Sequence, residues 1–109
     1  MNTKQIVWRF FNNYILKIAK KGQKTLDFTA LMFLLHKFGN VYDNRSAKNY
    51  IDCMVDNAWL IPNEANPLDI LSPYVVTSVY KYRRITWTIN ENATFDLIDE
   101  DKILDQLIK

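Results

Sequence analysis

Arg45 and Asn49 stand four residues apart in the run DNRSAKNY, with Ser46 and Lys48 between them and Asn44 just before. That spacing stacks two side chains on one face of a helix. The forked donors of Arg match the acceptors of guanine, and the donor and acceptor of Asn match adenine, so this set can read base edges in a major groove. A second group, Lys81, Tyr82, Arg83 and Arg84, interleaves cations with an aromatic ring. Cations of this kind hold phosphates, which gives affinity but little sequence information. Each group also has a plain reading: a capped, solvated first helical turn for the former, and an edge strand guarded by charge for the latter. The concentration of polar residues opposite an apolar stripe favours the contact reading.

Charge along the chain is segregated although the net value is only +2. Residues 1–48 hold nine Lys or Arg against Asp27 and Asp43, and residues 49–79 hold only acids: Asp52, Asp56, Glu64 and Asp69. Lys81, Arg83 and Arg84 restore positive charge before an acidic tail that starts at Glu91. Two basic zones flanking an acidic one fit a polyanion-binding face. Asp52 and Asp56 would repel phosphate, so only the first two turns of their helix are expected to approach it.

Enzyme chemistry finds little to work with. Cys53 and His36 are the only residues of their types, which excludes an internal disulfide, the usual zinc sites and most Cys/His or Ser/His nucleophile systems. Cys53 reads as a small packing residue and His36 as a cation at a helix end. No glycine-rich phosphate loop is present, and Asp99, Glu100 and Asp101, successive at a helix start, point apart and make a poor metal site. No catalytic residue, metal or cofactor is expected, and no small-molecule substrate is evident.

These side chains need positioning elements. From Thr3 to Ala19 the residues Ile6, Val7, Phe10, Phe11, Tyr14, Ile15 and Ile18 recur with helical spacing, and Lys20, Lys21 and Gly22 form a stop. A second helix is expected from Thr25 or Asp27 through Leu31, Leu34 and Leu35 to Gly39 and Asn40. Lys24 and Thr25 then stand near its first turn, where amides can meet a phosphate. The third helix runs from Arg45 to about Ala58, capped by Asp43 or Asn44, with Ala47, Tyr50, Ile51, Met54, Val55 and Ala58 inward. Pro62, Pro67 and Pro73 mark a loop. Tyr74–Tyr80 and Arg84–Ile89 read as antiparallel strands with Lys81, Tyr82 and Arg83 near the tip. A short helix from Asp99 to Ile108 closes the chain. The fold class is α+β, one domain over 1–109 with its core in 3–90 and an acidic segment in 91–109.

Helix, helix, short turn, helix, then a hairpin with a basic tip resembles a winged helix-turn-helix domain over roughly residues 5–90. The resemblance implies a third helix that enters the major groove by its N-terminal half and a wing on the flanking backbone. The residues it points to are Asn44, Arg45, Ser46, Lys48 and Asn49 on the helix, and Lys81, Tyr82, Arg83 and Arg84 on the wing. Trp59 and Leu60 fall where this family leaves the helix through a glycine and two apolar residues, and that glycine is missing. The richness in Asn, Ile, Lys and Tyr and the short length also resemble small winged-helix proteins of archaeal viruses.

The implied function is sequence-specific binding of double-stranded DNA by a transcriptional regulator; the alternative is the same fold used to hold another protein. A cytoplasmic location is expected, since the longest apolar run, Ala30–Leu35, is far too short to span a bilayer and no export signal is visible. A homodimer is expected as well, through helix 1, where Trp8, Phe10, Phe11 and Tyr14 exceed one face, or through the final helix with Ile103, Leu104, Leu107 and Ile108.

Overall fold

The apolar doublets Phe10-Phe11 and Ile15-Leu16 lie five residues apart. In an unbroken α-helix, five residues turn the chain to about 140° from the starting face, so both doublets could not enter one core. The computed structural model, which describes residues 3–63 and 78–95, removes the conflict with a wider turn. Helix α1 consists of an α segment Thr3–Phe10, a π turn Phe11–Ile15 and a second α segment Leu16–Lys20. Val7, Phe10, Phe11, Ile15, Leu16 and Ala19 are all buried. The expected stripe is corrected along the helix: Ile6 is exposed, Tyr14 and Ile18 are half-buried, and Leu16 and Ala19 take core positions.

A short strand, β1 (Thr25–Asp27), occupies the place expected for the start of the second helix. Leu26 is its buried residue, and Asp27 caps helix α2 (Phe28–Gly39) by accepting the Ala30 amide at 2.7 Å. Helix α2 ends at Asn40, whose φ of 53° puts it in the left-handed region, one of the few roles where Asn rivals Gly. Asp43 then caps helix α3 (Asn44–Asp56), its carboxylate accepting the Ser46 amide at 3.4 Å. Ala47, Ile51 and Met54 face inward along α3.

At the exit from α3 an alanine stands where a left-handed backbone favours glycine. Ala58 has φ of 58°, and the following Trp59 amide donates back to Met54 O at 2.9 Å. A Cβ in this conformation costs free energy that glycine does not incur. Ala58→Gly is expected to raise stability by about 1 kcal/mol, read as a higher urea midpoint with an unchanged slope; a lower midpoint would contradict it.

Strands β2 (Leu60–Pro62) and β3 (Thr86–Ile89) complete a three-stranded antiparallel sheet of order β1-β3-β2. Leu26 faces Trp87 across one pair, and Leu60 faces Ile89 across the other. The alternation of Trp87 and Ile89 inward is as the sequence reads, but the partners of β3 are not the run just before it. That expectation is corrected: Val79–Tyr82 is a 3-10 turn started by Ser78, whose hydroxyl accepts the Tyr80 amide. Residues 74–77 of the expected strand and the expected final helix lie outside the described residues. Among the described residues no helix is long and apolar enough to cross a membrane.

The core of this α+β domain gathers α1, α2, α3 and one face of the sheet. Trp59 and Trp87 are its largest fully buried side chains. Trp8 packs on Trp59, Phe11 and Phe95 at centroid distances of 4.9, 5.8 and 6.0 Å, while Tyr14 stacks on Phe38 at 4.8 Å. The aromatic surplus of α1 thus finds its partners within one chain.

Candidate nucleic-acid interface

Helix α3 is amphipathic, so burying Ala47, Ile51 and Met54 turns Arg45 and Asn49 outward. Both are exposed, and neither forms an ion pair or a side-chain hydrogen bond with a described residue. Asn44 is exposed too, but its Nδ2 donates to the Tyr80 hydroxyl at 3.4 Å and so ties the helix start to the 3-10 turn. Ser46 is half-buried, with its hydroxyl donating to Asp43 Oδ2 at 3.4 Å. Asn44, Arg45, Lys48 and Asn49 line one side of an open cleft, and Ser78 and Val79 line the other.

Asp52 organises the rest. Its carboxylate accepts Lys48 Nζ at 2.6 Å one turn back along α3, Lys81 Nζ at 3.0 Å from the 3-10 turn, and the Tyr82 hydroxyl. Partial burial pushes the Asp52 carboxyl up, but hydrogen bonds from Lys48, Tyr82 and Lys81 and the charge of Lys81 outweigh it and hold it below the ordinary carboxylate range. Burial, then the bond to Asp52 and its charge, push the Tyr82 phenol far up, so it stays neutral. An acid expected only to repel phosphate is instead a staple between α3 and the chain leading into β3. Two lysines around one carboxylate still leave that edge of the cleft positive.

The second expected group is therefore divided. Tyr82 is buried against Trp87 at 5.6 Å and does not stand on a solvent-facing tip. Lys81 is half-buried, with Nζ 4.8 Å from the Tyr82 ring centre as well as on Asp52. Arg83 and Arg84 are exposed just beyond the turn. Lys24 also sits elsewhere than expected: it precedes β1, its Nζ pairs with Glu91 at 2.6 Å and donates to Ala19 O at 2.9 Å, and it caps α1. His36 is exposed and stacks on Tyr42 at 5.7 Å. Cys53 is half-buried; burial raises its thiol pKa, as does nearby Asp56, against the opposing pull of Lys4 and a bond from Asn57. A thiol kept protonated is a poor nucleophile.

Asp52→Asn is expected to act with opposite signs on two readouts. Stability should fall by about 1 to 3 kcal/mol, because a charged acceptor shared by three donors is removed. Polyanion affinity should rise, because Lys48 and Lys81 are released. The pH dependence follows from a folded pKa below the unfolded one: the contribution of Asp52 is complete above about pH 4 and disappears as pH falls through the depressed value. Urea titrations of both proteins should show the gap at neutral pH closing in acid; a gap that widens in acid would contradict the staple.

The residues that sequence reasoning missed are Asp52 as a staple and Tyr80 as the partner of Asn44. Only the four-residue spacing of Lys48 and Asp52 signalled the first. No protein-family model matches the chain, and no curated protein or solved structure matches it, so the functional reading rests on this geometry.

Proposed function

We propose that the chain binds double-stranded DNA in a sequence-dependent way through a winged-helix arrangement, as a transcriptional regulator. The first two turns of α3 read the major groove, and Arg83 and Arg84 hold flanking phosphates. The observation that carries the reading is the outward pair Arg45 and Asn49, without partners among the described residues, beside a cleft whose other described polar side chains are tied down. Support also comes from the short connection 40–43 between α2 and α3, which suits a helix-turn-helix. Support comes too from Lys81 of the 3-10 turn, which pairs with Asp52 of α3, and from Arg83 and Arg84, exposed just beyond it; in this reading they would serve as the wing. Within this reading Arg45 and Asn49 discriminate bases, Lys48 and Lys81 contribute field from their seats on Asp52, and Tyr82 is a core residue.

The test is duplex binding by fluorescence anisotropy, over random and genomic fragments, between 50 and 200 mM salt. If about four phosphates are neutralised, the affinity should fall on the order of a hundredfold across that range. Binding that does not weaken with salt, or no binding to duplex at low salt, overturns the proposal. A second reading, a module that holds another protein, draws on the exposed Phe33, Phe38 and Tyr42 at the outer end of α2; a salt-insensitive complex would favour it. Pairing into a homodimer is proposed only through the segment beyond residue 95, since the aromatics of α1 are occupied, and light scattering distinguishes 12.9 kDa from twice that mass.

A further inference from the structure

The end of α1 carries a second basic surface at a distance from the first. Lys17, Lys20 and Lys21 have the spacing that puts them on one side of a helix; all three are exposed, and their side chains pair with no described residue. They are not needed to finish the helix. The Lys21 amide donates to Lys17 O and Ile18 O, the Gly22 amide to Ala19 O and the Gln23 amide to Ile18 O, while Lys24 Nζ reaches Ala19 O. Gly22, with φ of 112°, makes that closure possible. Lys24 is neutralised by Glu91, whereas no described acid pairs with the other three lysines.

The topology places this surface away from the reading helix's entry. Strand β3 begins beside the 3-10 turn, where the Ile85 amide donates to Tyr82 O, and ends where the Ile89 amide donates to Lys24 O. The next amide, Asn90, donates to Trp59 O at the exit of α3. The lysine surface therefore adjoins the exit of α3, while Arg45 lies at its entry, and a helix of this length spans about 20 Å. No exposed large apolar side chain of the described residues falls between Asn13 and Thr25. A protein partner usually needs such an anchor, whereas a phosphate backbone needs only charge.

We propose that Lys17, Lys20 and Lys21 hold the phosphate backbone of a second duplex, so that one chain bridges two DNA segments. The proposal rests on the reading of α3 as the first contact. The experiment captures a fluorescent duplex in solution on a bead-tethered duplex through the full chain, alongside anisotropy with one duplex. The parent should bind one duplex and capture the second. A Lys17→Gln, Lys20→Gln, Lys21→Gln variant should bind one duplex within about twofold of the parent and capture about tenfold less or worse. Capture by that variant equal to the parent's, which a dimer would give, overturns bridging by the lysines. Absence of capture by the parent also overturns it, as does an equal loss of single-duplex affinity in the variant, which would put both surfaces on one duplex. Failure of the α3 reading looks different: the parent then binds no duplex in either format, and the bridging proposal falls with it.

Discussion

Trp59→Ala is expected to lower stability by about 3 to 5 kcal/mol, enough to leave little of the margin a natural domain has over its unfolded state. Trp59 is fully buried, stacks on Phe11 at 5.8 Å, packs at a tilt against Trp8 at 4.9 Å, and donates its indole N–H to Thr94 O at 3.1 Å. It therefore joins α1, the exit of α3 and the segment after β3. Trp87 supplies the control. It is as deeply buried, but its Nε1 finds no acceptor among the described residues, so Trp87→Phe removes volume but no hydrogen bond to a described group. Trp59→Phe should cost more than Trp87→Phe by about 1 to 2 kcal/mol in urea titrations. Equal costs would mean that the Thr94 bond contributes nothing and that volume alone decides.

Arg45→Ala and Asn49→Ala are expected to weaken binding to the preferred duplex by about 1 to 3 kcal/mol each, with little change in stability because both side chains are exposed and pair with no described residue. Competition against single base-pair variants of the site should show discrimination relaxed at one position per mutant. Arg83→Ala with Arg84→Ala should instead weaken all duplexes similarly and reduce the salt slope by about one for each phosphate no longer held. If both α3 mutants bind as the parent does, α3 is not the reader. If the double arginine mutant loses affinity at one base pair only, the roles of the two regions are exchanged.

Which of these features the sequence reveals depends on how local their causes are. The caps at Asp27 and Asp43, the left-handed Asn40 and the inward Ala47, Ile51 and Met54 of α3 each follow from residues within one or two turns and are found where expected, whereas Tyr50 and Val55 are half-buried and Ala58, expected inward, is exposed beyond the end of the helix. Strand β1 escapes because three residues are too few to show an alternation, and its existence depends on Trp87, sixty-one positions from Leu26. The expected hairpin fails for the same reason: the pattern of β3 is legible, but its neighbours are chosen by the whole fold. In the candidate site the outward turn of Arg45 and Asn49 is a property of one helix. The burial of Tyr82 and the seating of Lys81 on Asp52 are long-range pairings, which local spacing does not encode.

The π turn in α1 has an evolutionary side. A wide turn of this kind holds one residue more than the helix around it requires, which is the trace that a single-residue insertion leaves. Asn12 and Asn13 lie within it and are exposed. Excising either would bring the doublets Phe10-Phe11 and Ile15-Leu16 to a spacing of four, which an ordinary α-helix aligns on one face. The same excision between Ile51 and Met54 would rotate one of these side chains out of the core. Helix α1 is thus a place where this chain can change length without changing fold, so relatives one residue shorter in that helix should keep the same packing and could be aligned to it only with a gap inside a helix.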